Sequence, residues 1–156
     1  MQRAFNGLAE YSPVPVVAKD DLGVPARYDP ETRQILVSDS FSDDDTFAAM
    51  VNANAHAMLH REDINANNGK DVGYDTRQSE FLTSCVSYVV CHRFGVPFEG
   101  MDFETPAAVL GSMDVDTMED MVRSIGTTAK SCGDRVQREV APPAQERQAR
   151  PKGQGR

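Results

Sequence analysis

Hydrophobic and polar positions fall into two regimes along the chain, with the change near residue 40. Before it the apolar runs are short. Pro13-Val14-Pro15-Val16-Val17 is apolar and proline-edged, which suits an edge strand because proline has no N–H to donate to a ladder. ARYDPETRQILVSD then predicts a hairpin: Asp29-Pro30-Glu31-Thr32 has turn chemistry, and Ile35 and Val37 alternate with polar neighbours. From Ser42 onward the spacing becomes helical. Ser42 can cap a free backbone N–H, and Asp43, Asp44 and Asp45 suit the positive end of a helix dipole. Phe47, Met50, Val51, Asn54 and Met58 or Leu59 then recur on one face, predicting a helix to about Arg61.

EDINANNGKDVGYD has no periodicity and predicts a surface loop. A helix over 76–94 follows, with Phe81, Leu82, Cys85, Val86, Val89, Val90 and Phe94 on a broad apolar face, stopped by Gly95 and Pro97. Thr105-Pro106 predicts a short helix to about Leu110. Asp116-Thr117 predicts the start of a last helix carried by Met118, Met121, Val122, Ile125, Ala129, Cys132 and Val136. The expected fold class is therefore α+β: a small N-terminal antiparallel sheet of about three strands packed on a bundle of about four helices.

Composition narrows the function. A chain of 156 residues closes one core, expected over 1–140. No apolar run approaches the roughly 18 residues of a membrane span, so no membrane partner is expected and the cytoplasm is the expected location. The total charge is −8, yet residues 141–156 hold Arg147, Arg150, Lys152 and Arg156 against Glu146, a net +3 that leaves −11 for the body. An acidic body disfavours nucleic acid, and the Pro-, Gln- and Gly-rich basic tail over 141–156 is expected to be disordered. Cys85, Cys91 and Cys132 form no CxxC pair and are expected as buried free thiols. Met113, Met118 and Met121 are expected in packing.

The stretch with chemical content is MVNANAHAMLHR, residues 50–61. Zinc hydrolases carry H-E-x-x-H on a helix because residues four apart share a face, and the glutamate deprotonates metal-bound water. One register here covers Asn52-Ala53-Asn54-Ala55-His56, the other His56-Ala57-Met58-Leu59-His60. In both, alanine stands where the base belongs. General-base assistance contributes about 10²–10⁴-fold to a rate, and alanine supplies none of it.

AHAMLH, followed by a polar loop and by SYVVCHRFGVP (Ser87 to Pro97), resembles the ImmA/IrrE-type zinc metallopeptidase superfamily, closest to the LtrC-like branch of conjugative elements. The resemblance spans about residues 24–136 and implies a zincin-like fold of mobile-element origin. It implies the first register and places Asn52, His56 and Ser84 at the family's metal positions, with Ala53 at the base. Only His56 keeps the family residue. The expectation is thus a pseudoenzyme with no catalytic residues and no cofactor, acting by binding a protein or peptide.

The alternative is a zinc-dependent peptidase or metal-binding protein with its site moved one turn. On antiparallel helices, one turn forward on the first matches one turn back on the second, which groups His56, His60 and Glu80 as metal ligands. Asn52, Asn54 and Ser84 are otherwise expected to hydrogen-bond one another or a water between the two helices. His92, beside Arg93 near a helix end, is expected in solvent or facing the helix dipole.

Overall fold

A computed structural model describes residues 2–66, 74–99 and 104–141, with 62–66 and 104–107 described as backbone alone. The basic tail and the Asn- and Gly-rich part of the expected loop lie outside the described residues. The element order is α1 (Gln2–Glu10), β1 (Val16–Ala18), β2 (Ala26–Asp29), β3 (Gln34–Val37), α2 (Asp43–Ala66), α3 (Thr76–Phe94), α4 (Glu104–Gly111) and α5 (Val115–Val140). The α+β class holds, a three-stranded sheet with a helical bundle.

Two features depart from the expected arrangement. The sheet is mixed, in the order β1-β3-β2. β2 and β3 form the expected antiparallel hairpin, with Tyr28 opposite Ile35, whereas β1 joins the other side of β3 in parallel, with Val16 opposite Ile35. The hairpin turn is held by Asp29, whose Oδ1 accepts from the backbone N–H of Glu31 at 3.0 Å and Thr32 at 3.4 Å. The bundle also has a fifth helix, α1, at the start of the chain. The helix forms because Ala4 and Leu8 fall on one face and bury it, chiefly against α5. Gly7 is what lets the two helices meet: a Cβ there would lie 2.7 Å from the Arg135 carbonyl oxygen.

The other helices start and stop for local reasons. At α2 the Ser42 Oγ accepts from the Asp45 N–H at 3.2 Å. The helix then runs past the expected Arg61 to Ala66. α3 opens on a capping box between Asp75 and Gln78 and closes at Gly95, whose φ of 70° is left-handed. The N–H of Gly95 and of Val96 bond back to the carbonyls of His92 and Cys91, completing the stop. α5 begins earlier than Asp116: Asp114 is its cap, accepting from the Thr117 N–H at 2.8 Å.

The core gathers around α2. Phe47, Met50, Val51, Leu82, Val86, Val90, Met121 and Val136 are buried, and Phe47 meets Phe94 edge-on at 6.3 Å between centroids. Val89 and Val122 do not join it. They are 46% and 63% exposed, because each sits at the margin of an apolar stripe wider than the neighbouring element covers. Met113 and Met118 are half-buried.

Candidate functional site

Asn52, His56 and His60 stand one turn apart along α2, on the flank that faces α3 and β2. His56 is half-buried, and its Nε2 lies 3.1 Å from Thr83 Oγ1 on α3. The polarity of that bond follows from counting hydrogens. Thr83 has a single hydroxyl hydrogen, and the Glu80 carbonyl lies 3.2 Å away to accept it. The self-consistent network therefore has His56 Nε2–H donating to Thr83 Oγ1. Burial lowers the imidazole's proton affinity below its ordinary range, and the Glu80 carboxylate, itself exposed, opposes that shift.

His60 turns the other way. Its Nδ1 pairs with the phenolic oxygen of Tyr28 on β2, and the two rings meet at 63° with centroids 5.6 Å apart. The sheet and α2 are thus joined by a polar contact at the end of a mostly apolar seam.

The two sets of candidate ligands are placed differently by the packing. At the family-equivalent positions, Asn52 and Ser84 are half-buried, neutral and weakly basic beside a single imidazole, and zinc requires three or four Cys, His or carboxylate donors. At the shifted positions, His56 is held by Thr83 and His60 by Tyr28, so the two imidazoles serve different partners. Among the described residues no three His, Cys, Asp or Glu side chains gather in a way that could hold a metal ion. The base position is closed as well: Ala53 is 1% exposed and faces the core.

Asn54 does not join Asn52 and Ser84 but belongs to a different network. Asn54 is fully buried, donates from Nδ2 to the Met50 carbonyl at 2.9 Å, and accepts at Oδ1 from Arg135 Nη1 at 3.3 Å. It points away from Asn52 and fastens α2 to α5, because positions 52 and 54 are about 200° apart around a helix. Sequence reasoning missed Thr83, Tyr28 and Arg135. Thr83 carried a signal, being a polar position within the apolar stripe Leu82-Val86-Val90; Tyr28 and Arg135 are reached only through tertiary packing.

The remaining candidates behave as ordinary surface or core. His92 is exposed and stacks on Tyr88 with planes 8° apart. Cys91 and Cys132 are buried free thiols, pushed up to about 12 and about 11 by desolvation, and Cys85 is half-buried. Thiols so shifted are protonated near neutrality and inert as nucleophiles. No described helix is long and apolar enough to cross a membrane. No family model, curated protein or solved structure matches the chain.

Proposed function

We propose that this chain is a catalytically silent, metallopeptidase-like module of mobile-element origin that acts by binding a protein or peptide beside the α2–α3 pair. The observation that carries the proposal is Ala53, 1% exposed where a hydrolase of this type needs its base, one turn from a His56 whose Nε2 lies 3.1 Å from Thr83 Oγ1. Nothing at that position can take a proton from water. What persists is a set of half-buried polar side chains, Asn52 and His56 on α2 and Ser84 on α3, while His60 of the same α2 helix meets Tyr28 of β2, an edge strand of the sheet. An edge strand offers backbone donors and acceptors to an extended peptide, and the neighbouring helices offer side-chain pockets.

The second reading, a metal-dependent peptidase using His56, His60 and Glu80, draws support from the electrostatic action of Glu80 on His56. Metal analysis on protein purified without a histidine tag separates the two. The binding-module reading expects less than about a tenth of an equivalent of zinc and no cleavage of a peptide library, with saturable binding of some library members. A full equivalent of zinc, lost in both His56→Ala and Glu80→Ala, or chelator-sensitive cleavage, overturns it.

A further inference from the structure

The C-terminal end of α1 and one stripe of α5 enclose a recess of about 360 Å³, lined by Tyr11, Ser12, Ser131, Asp134, Arg135 and Arg138. Positions 131, 134, 135 and 138 share one helix face by spacing, so α5 delivers a hydroxyl, a carboxylate and two guanidinium groups to the same side. Tyr11 and Ser12, just after α1, deliver two further hydroxyls. The volume lies within the range of small-ligand sites.

The charges are arranged unusually for a chain of net −8. The single carboxylate in the lining, Asp134, is occupied by cations at its flank: Lys130 bonds its Oδ2, and Arg93 Nη1 lies 3.8 Å from its Oδ1. Those pairs hold Asp134 below the usual carboxylate range. Lys130, Arg93 and Arg138 therefore act on one carboxylate, and Arg135 shares the same lining. Arg135 is half-buried, and among the described residues its guanidinium has the neutral Asn54 amide as its hydrogen-bond partner and no carboxylate within ion-pair distance. Burial and the neighbouring Arg138 both weigh against its charge. Arg138 lies over the Tyr11 ring at 5.4 Å, which holds it at the rim. A half-buried cation repelled by a second, exposed cation, with hydroxyl donors around both, is an incomplete electrostatic arrangement that an anion would complete.

We propose that this recess binds a phosphoryl group, in inorganic phosphate or in a small phosphate monoester. Two guanidinium forks and three hydroxyls match the several donors a tetrahedral dianion accepts, and the volume leaves room for a small organic group. The proposal does not depend on the peptide-binding reading.

Calorimetric titration of the full chain at constant ionic strength, with inorganic phosphate and separately with ribose 5-phosphate, tests it. Saturable binding at millimolar affinity or better is expected, weakened ~10-fold or more in Arg138→Gln and in Arg135→Gln. Arg123→Gln, which removes an exposed α5 cation paired with Asp120, should leave it unchanged. Tighter binding of the ester assigns the site to monoesters, and equal binding assigns it to the free anion; either supports the phosphoryl site. Absence of saturable binding overturns the proposal. So does equal loss in Arg123→Gln, which would mean diffuse charge attraction. Arg138 is exposed, so its variant remains informative if Arg135→Gln fails to fold.

Discussion

Gly7→Ala sets two contributions against each other, and the structure decides the sign. In an isolated helix alanine is favoured over glycine by roughly 1 kcal/mol. In the folded chain the new Cβ would sit 2.7 Å from the Arg135 carbonyl oxygen, 3.2 Å from its carbon and 3.1 Å from Glu139 Cγ. The Glu139 side chain can swing aside, but the Arg135 carbonyl belongs to the backbone of α5 and cannot. The helices must separate by several tenths of an ångström along a seam that buries Leu8 and Val136. Overpacking of this kind costs about 1–3 kcal/mol, so the net expectation is a loss of about 0–2 kcal/mol.

Gly126→Ala supplies the comparison. Gly126 lies in α5 with open space around its Cα, so the same propensity gain of roughly 1 kcal/mol should appear undiminished. Urea denaturation of the three proteins should therefore rank Gly126→Ala above the parent and Gly7→Ala at or below it, a spread of about 1–3 kcal/mol between the variants. In a thermal scan that spread corresponds to several degrees, at about 2–4 °C per kcal/mol for a domain of this size. If Gly7→Ala proves as stable as Gly126→Ala, α1 is not seated on α5 at this distance, and the recess built from both helices loses one wall.

Other perturbations address the polar contacts. Because burial lowers the His56 proton affinity, the unfolded chain binds a proton there that the folded chain refuses. Stability from this group is accordingly lost as pH falls below about 6.5, until the folded imidazole itself protonates, and it is unaffected above that range. Glu80→Gln removes the opposing charge, so the imidazole proton resonances should titrate at lower pH than in the parent; a midpoint moved upward would refute the electrostatic assignment. Asn54→Leu keeps the volume but leaves the half-buried Arg135 guanidinium without its amide, and should cost about 1–3 kcal/mol in urea denaturation. Asp75→Ala removes one half of the α3 capping box and should lower stability by about 1 kcal/mol, with Asp75→Ser restoring most of it.

How much of this protein is written locally can be judged element by element. α3 is legible almost to the residue, since Gly95 and Pro97 stop it and its apolar face is continuous. The β2–β3 hairpin is legible because Asp29-Pro30 imposes a turn within a few residues. Ser42 and three aspartates announce α2 for the same reason. Each signal acts over a single turn of chain, where backbone and side chain satisfy each other without help.

Tertiary structure decided the rest, and the reason is distance along the chain. A parallel pairing of β1 with β3 involves strands with β2 between them in sequence, so no local pattern specifies it. α1 is not expected from the sequence, and it is α5, far along the chain, that buries its Ala4 and Leu8. Helical spacing put Asn54 on the apolar face, but only the arrival of Arg135 from α5 explains why an amide can be buried there. His56 and His60 share a helix face by spacing alone, yet Thr83 draws one ring toward α3 and Tyr28 draws the other toward the sheet. Side-chain identity and helical period limit which groups can meet; which of them do meet depends on hydrogen-bond partners that only the packed chain brings within reach.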